Sequence, residues 1–146
     1  MEIENVFEMS FLANTANESF ARATIAAFCA QINPTLEELN DIKTAVSEAI
    51  TNCIVHAYRN KKEGVVYCSV KVKGEDVCVT IQDEGEGIED VEKAMQAFYT
   101  SKPNEERSGM GFTLMQTFMD EVQVESTPGA GTKVIMRKRI SQDVVA

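Results

Sequence analysis

One amphipathic helix in the first half of the chain constrains the fold more than any other feature of the sequence. Thr35 and Glu38 have the spacing of a capping box, in which two side chains satisfy free backbone N–H groups at a helix start. Apolar residues then recur every three or four positions, at Leu36, Leu39, Ile42, Val46, Ala49, Ile50 and Cys53. We predict a helix that runs to about Tyr58 or Arg59 and must bury one face against other elements.

The segments around this helix predict a sheet for it to pack on. Runs rich in β-branched residues, or alternating between apolar and polar residues, are typical of strands. The predicted elements are a strand over 6–12, a helix with a second capping box at Thr15 and Glu18 and an end at Asn33-Pro34, strands over 65–73 and 77–83, a helix over 109–119, and strands over 121–126 and 132–139. This order predicts an α+β sandwich, with a mixed, mainly antiparallel sheet and helices packed on one face, and a single domain over 1–146.

Charge and composition narrow the function. The 146 residues carry a net charge of −9, which disfavours direct nucleic-acid binding because that binding depends on Lys and Arg neutralising phosphates. No apolar run is long enough for a membrane helix, and the first residues lack the basic and apolar parts of a signal peptide. We therefore expect a cytoplasmic protein with no contact to membrane or nucleic acid.

The cysteines are interpreted as part of the core. Cys29, Cys53, Cys68 and Cys78 each lie in an apolar segment, and no two have C-x-x-C spacing. A zinc site would need closely spaced ligands, and His56 is the only histidine. We expect reduced, buried thiols.

A carboxylate and an amide stand one turn apart on the long helix. Glu48 and Asn52 are four residues apart, so their side chains lie on one face, at the flank of the apolar stripe. The pair could reach a ligand held between helix and loop, but taken alone it favours a solvated helix flank with a Glu–Asn hydrogen bond.

Two glycine-rich segments follow later in the chain. Asp83 ends an alternating strand, and Gly85 and Gly87 then permit positive φ angles and close backbone approach, although an ordinary tight turn has the same pattern. Gly109 and Gly111 stand at the predicted start of a helix, where free N–H groups and the helix dipole favour phosphate. This segment is neither a Walker A loop nor a Rossmann fingerprint.

The combination is more specific than its parts. The order is E-x-x-x-N on a helix, D-x-G-x-G-I after a strand, G-x-G-F before a helix, and Gly131-Thr132 entering a strand. Over residues 36–136 this order resembles the Bergerat nucleotide-binding fold of the GHKL superfamily of ATPases and kinases. The resemblance implies ATP and Mg²⁺ as cofactors.

The resemblance also implies a role for each matching residue. Asn52 would coordinate Mg²⁺, Asp83 would accept a hydrogen bond from the adenine amino group, and Thr132 would support the adenine edge. Gly85 and Gly87 would let the backbone approach the base, and residues from about 94 to 108 would form a lid. Gly109 and Gly111 would cradle phosphate, and Lys102 and Arg107 would add positive charge near the γ-phosphate. Ser108 and Met110 complete the predicted nucleotide-binding set.

Glu48 indicates the branch of the superfamily. Histidine kinases usually have Asn there, whereas ATPases and serine kinases have Glu, which can orient or deprotonate a hydroxyl. The segments 17–22, 47–52 and 106–112 look most similar to the sporulation anti-sigma family, the anti-sigma F factors. That resemblance implies a homodimer that binds a sigma F-type factor and phosphorylates a serine of a STAS-type anti-anti-sigma protein, with Glu48 catalytic and Glu18 and Arg22 facing the partner. A general stress-response anti-sigma kinase and a non-catalytic, ATP-gated binding module are the alternatives.

Overall fold

The fold comes from a computed structural model that describes residues 2–61, 63–96 and 106–141, with the backbone alone for 106–110. Its elements are β1 (Glu4–Leu12), α1 (Thr15–Cys29), a 3-10 turn (Ala30–Ile32), α2 (Leu36–Thr51), a π-helical segment (Asn52–Ala57), β2 (Val65–Lys73), β3 (Asp76–Asp83), α3 (Val91–Met95), α4 (Glu106–Phe118), β4 (Glu121–Thr127) and β5 (Gly131–Arg139).

The strands form one five-stranded sheet in the order β1-β2-β3-β5-β4, and each neighbouring pair is antiparallel. The predicted α+β sandwich is confirmed. The sequence predicts a mixed, mainly antiparallel sheet, whereas all strand pairs among the described residues are antiparallel. The last strand, β5, lies between β3 and β4, and β4 forms the sheet edge opposite β1. Asp83 is therefore opposite Thr132, so residues 49 positions apart meet at one end of the sheet.

The core lies between the sheet and the helices. Alternate residues of the two central strands face the helices and are almost fully buried: Val66, Cys68, Val70, Val72, Val77, Val79 and Ile81. The predicted stripe of α2 packs on them through Ile42, Val46 and Ile50, none of which is exposed. Because α2 also packs against α1 and α4, it is the central helix, and its flanks border the grooves on either side.

The cysteines lie where the apolar pattern predicted, with one qualification. Cys29, Cys53 and Cys68 are buried free thiols, whereas Cys78 is half-buried. Burial raises the pKa of Cys29 and of Cys68 to about 12, so both thiols are protonated at neutral pH.

The predicted start of α2 is confirmed, whereas that of α1 needs correction. The capping box of α2 is present, since Thr35 N donates to Glu38 and Glu38 N donates to Thr35 Oγ1. The cap of α1, however, is Asn14, whose side chain accepts from Ala16 N, and Thr15 is already helical. Asn is as good an N-cap as Thr, and it stands one residue earlier.

The last helix, α4, begins at Glu106 and not at the predicted residue 109, so Gly109 and Gly111 lie inside its first two turns. The predicted helix end near Tyr58 is close to the observed one, but the last six helical residues form a π-helix. Tyr58 N bonds Cys53 O at 3.0 Å, five residues back. Within the described ranges, no helix has the length and apolarity to span a bilayer.

Candidate functional site

Asp83 is a buried carboxylate at the end of β3. It is 4% exposed, and its Oδ1 accepts from Gly85 N at 2.9 Å and from Thr132 N at 3.2 Å. Burial raises the pKa of Asp83, while the hydrogen bonds from Gly85 N, the Cys53 thiol and Thr132 N act in the opposite direction. The carboxylate is thus held in place by its own loop and by β5.

The hydroxyl of Thr132 belongs to a short network behind Asp83. Ser126, opposite Thr132 on β4, accepts from Ile88 N at 2.8 Å and donates to Gly131 O at 3.0 Å. Its Oγ lies 2.8 Å from Thr132 Oγ1. Because Ser126 has one proton and gives it to Gly131, Thr132 is the donor of this bond, and its lone pairs stay available.

The loop glycines have a packing reason besides any role at a ligand. A Cβ at Gly85 would lie 2.4 Å from Ala57 O, and one at Gly87 would lie 2.3 Å from Thr127 O. Gly87 also has a φ of +77°, which an L side chain rarely adopts. Without side chains, the loop fits between the π-helical segment and the hairpin of β4 and β5.

Tyr58 ties the end of the π-helical segment to the Asp83 loop. Its hydroxyl donates to Val65 O at 2.6 Å and accepts from Glu84 N at 2.7 Å. The next residue, Arg59, forms an ion pair with Glu86 of the same loop. Helix end and loop are therefore connected by both backbone and side-chain bonds.

Glu48 and Asn52 meet Gly111 at the other end of the site. A Cβ on Gly111 would lie 3.1 Å from Asn52 Nδ2, 3.2 Å from Asn52 Oδ1 and 3.5 Å from Glu48 Oε2. Because Gly111 has no side chain, α4 approaches the carboxylate and the amide closely. Burial raises the pKa of Glu48, and the negative charge of Glu18 raises it further.

A cavity of about 170 Å³ joins the two ends. Its lining is Ala49, Asn52, Cys53, His56, Ala57, Asp83, Gly87, Ile88, Ala94, Phe112, Thr132 and Val134. Mostly apolar walls with a few convergent polar groups are typical of small-molecule sites. The structure therefore brings Asn52, Asp83, Gly87 and Thr132 together around one cavity.

The remaining predicted residues divide into three groups. Gly85 and Gly111 lie beside the cavity without lining it, and Glu18 and Arg22 lie on α1 next to Glu48. Arg107, Ser108, Gly109 and Met110 are in α4, with the backbone alone described. Lys102, with residues 97–105 of the predicted lid, lies outside the described residues.

Sequence reasoning missed several residues of the site. Ser126 and Tyr58 act through hydrogen bonds, and Phe112, Ile88 and Ala94 supply apolar wall. Phe112 and Ile88 belong to the quoted motifs, so their position was a usable signal. Ser126 and Tyr58 carried none, because their partners are distant in the chain.

Comparison with known proteins decides the family. The profile of the histidine kinase-like ATPase domain matches residues 11–138. The anti-sigma F factor of Thermoanaerobacter sp. (strain X514) is 57% identical over 143 residues, 98% of this chain and 99% of the relative. The anti-sigma F factor of Clostridium acetobutylicum is 52% identical over 139 residues, which cover 95% of this chain and 96% of that relative. The chain belongs to the anti-sigma F factor family. It carries the family's ATP-binding, histidine kinase-like ATPase domain.

Solved structures agree on the fold of this family member. The RsbU and RsbW domains of Rv1364c from Mycobacterium tuberculosis give a TM-score of 0.69 at 17% identity, covering 94% of this chain and 33% of that one. The catalytic domain of histidine kinase ThkA gives a TM-score of 0.57 at 13% identity, covering 93% of this chain and 96% of that one. At these identities the likeness concerns the fold alone.

The residues present fit a magnesium–nucleotide pair. Among the described residues, neither the Glu48 carboxylate nor the Asn52 side chain has a hydrogen-bond partner, and Asn52 lines the same cavity as Asp83. Those residues include no cluster of three or more His, Cys, Asp or Glu side chains able to hold a metal. Mg²⁺ commonly binds through one or two protein oxygens together with substrate phosphates. The amide oxygen of Asn52 could serve as such a protein ligand.

Proposed function

We propose that the protein is an anti-sigma factor and an ATP-dependent serine/threonine protein kinase, built as one ATPase domain over 1–146. It binds and inhibits sigma F, and it transfers the γ-phosphoryl group of ATP to a serine of a STAS-type anti-anti-sigma protein. The observation that carries the proposal is the position of Glu48, which lies close to Gly111 and one helical turn from Asn52, a residue that lines the same cavity as Asp83.

Asp83 and Thr132 recognise the adenine of the substrate ATP. The buried carboxylate accepts from the exocyclic amino group, and the Thr132 hydroxyl has free lone pairs for a ring-edge donor or a water. Guanine has a carbonyl oxygen in place of that amino group, so a fixed acceptor discriminates against it.

Glu48 and Asn52 act at the reacting end. Asn52 would hold Mg²⁺, which when bound supplies positive charge to the phosphates. Glu48 accepts the proton of the serine hydroxyl; the serine oxygen bonds the γ-phosphorus, and the bond to the bridging oxygen breaks with its electron pair on ADP. In this proposal the phosphates are surrounded by Lys102, Arg107, Ser108, Gly109, Met110 and Gly111.

The partners follow from family membership and charge. Glu18 and Arg22, on the α1 flank next to Glu48, contact the protein partner. The chain works in the cytoplasm as a homodimer. Its net charge of −9 supports protein partners over direct contact with nucleic acid.

The test is transfer from labelled ATP. Purified protein is incubated with γ-labelled ATP and a STAS-type anti-anti-sigma protein, with Mg²⁺ or with EDTA, and the labelled residue is mapped by mass spectrometry. We expect magnesium-dependent phosphoserine on the partner. Nucleotide binding without label on the partner would support a non-catalytic, ATP-gated module instead. Capture of sigma F, but not of a stress-response sigma factor, tests the other half of the proposal.

A further inference from the structure

A second recess borders Glu48 and shares no lining residue with the nucleotide cavity. It has a volume of about 460 Å³ and lies between α1 and α2. We call it the acceptor groove, defined by Arg22, Asn40, Lys43, Thr44, Ser47 and Glu48. The five residues from α2 follow the i, i+3, i+4, i+7, i+8 pattern of one helix face, so the groove runs along the helix towards the catalytic carboxylate.

The two cations of the acceptor groove differ in their surroundings. Arg22 Nε lies 3.6 Å from Glu18 Oε2, so a carboxylate already offsets its charge. Within the described parts of the chain, no carboxylate lies within ion-pair distance of Lys43. The acceptor groove therefore offers one uncompensated positive charge.

The lining of the acceptor groove favours a polar occupant. None of its side chains is aliphatic or aromatic, and the Thr44 hydroxyl donates to Asn40 O at 2.9 Å, which keeps its lone pairs available. A hydrophobic helix or a lipid would gain little from such a surface, whereas a polar peptide segment would find donors, acceptors and one cation.

The spacing on α2 fixes where the charge acts. Lys43 precedes Glu48 by five residues, which is about 7.5 Å along a helix axis. An extended segment covers roughly 3.3–3.6 Å per residue, so this distance corresponds to about two residues of a bound peptide.

We propose that the acceptor groove takes the serine-bearing segment of the protein substrate, and that Lys43 selects an acidic side chain about two residues from the serine. The inference rests on the kinase activity proposed above. The serine then lies at Glu48, next to the γ-phosphate, and its acidic neighbour pairs with Lys43.

The experiment compares charge reversals on the two faces of the molecule. Initial rates are measured against the concentration of the anti-anti-sigma protein for wild type, Lys43→Glu and Lys71→Glu. Lys71 is exposed on β2, away from α2. We expect Lys43→Glu to raise the KM for the protein substrate about tenfold, with the KM for ATP unchanged, and Lys71→Glu to change neither. Placing Lys at the acidic position of the substrate should restore its KM with Lys43→Glu.

Two results would overturn the inference while leaving the kinase activity intact. One is an unchanged KM for the protein substrate in Lys43→Glu. The other is a mapped phosphoserine with no Asp or Glu within three residues on either side. A wild-type protein that labels no substrate would instead refute the proposed kinase activity itself, so the two failures are distinguishable.

Discussion

The two ends of the nucleotide cavity are built in opposite ways. At the Asp83 end, the carboxylate and the Ser126–Thr132 pair are fixed by hydrogen bonds within the protein. At the Glu48 end, the two polar side chains of α2 have no hydrogen-bond partner among the described residues, and Gly111 of α4 approaches both closely. The first end is complete in the isolated chain, whereas the second has polar groups available for a ligand.

In the proposed kinase, this difference separates recognition of the base from phosphoryl transfer. A preorganised acceptor loses little conformational entropy when a base binds, so the folded protein can be selective for the base before any ligand arrives. Phosphoryl transfer needs a metal, phosphates and a hydroxyl that arrive only with the substrates, so its protein groups must remain unsatisfied until then. Substitutions at the two ends should therefore affect binding and transfer separately.

The largest effect is expected from Glu48→Gln. The amide has nearly the same shape but cannot accept the hydroxyl proton, so phosphoryl transfer should fall by ~10²–10⁴-fold. Affinity for ADP, measured by calorimetry, should stay as in wild type because the Asp83 end is untouched. If transfer were unchanged, or if ADP binding fell as much as transfer, the separation between the two ends would be wrong.

Asp83→Asn should give the next largest effect, with the opposite signature. A hydrogen bond to a charged group contributes about 1.5–3 kcal/mol, so ADP affinity should fall by roughly 10- to 150-fold. The matched control is Asp76→Asn at the other end of β3, where the carboxylate is exposed and pairs with Arg139. Affinity for GDP should change less than affinity for ADP. Equal losses for both nucleotides would contradict a role in base selection.

The sequence was sufficient for the framework of the site. The stripe of α2 has a strict helical period, and Asp83 follows a cleanly alternating strand, so burial and position could both be predicted. The sheet order was not predictable in the same way. Insertion of β5 beside β3, which brings Thr132 to Asp83, depends on pairing between segments distant in the chain.

The π-helical segment shows why other features were missed. Its residues have the composition of an ordinary helix, and the segment ends at Tyr58, which reaches both β2 and the Asp83 loop. No local pattern encodes such a contact. The N-cap of α1 was predicted wrongly for a simpler reason. Asn14 and Thr15 are both good N-cap residues, and the helix is capped by Asn14.

Tyr58→Phe tests whether the Asp83 end depends on this connection. The variant loses two hydrogen bonds, and a net value of about 0.5–1.5 kcal/mol for each predicts a stability loss of about 1–3 kcal/mol. If the loop carrying Asp83 loosens with it, ADP affinity should also fall about fivefold. Denaturant unfolding and calorimetry measure the two effects.

The matched control for Tyr58→Phe is Tyr67→Phe. Tyr67 also reaches Glu84, but through an exposed side-chain bond of 3.0 Å. Both stability and ADP affinity should stay close to wild type in this control. A Tyr58 variant that lost stability but kept full ADP affinity would confine the connection to a structural role.

The smallest effect is expected at the Glu48 end, from Glu18→Gln. Burial and the charge of Glu18 both raise the pKa of Glu48, so removing the second contribution should lower that pKa while leaving it above the ordinary value. In the proposed mechanism the ionised Glu48 carboxylate is the base, so the acid limb of the pH–rate profile should move to lower pH. Carbon-13 NMR of the Glu48 carboxyl, assigned with Glu48→Gln, measures the titration directly in the nucleotide-free protein. Glu37→Gln, exposed in the first turn of α2, should leave it unchanged. A Glu48 pKa that is the same with and without the Glu18 charge would mean that burial alone sets the basicity of this end.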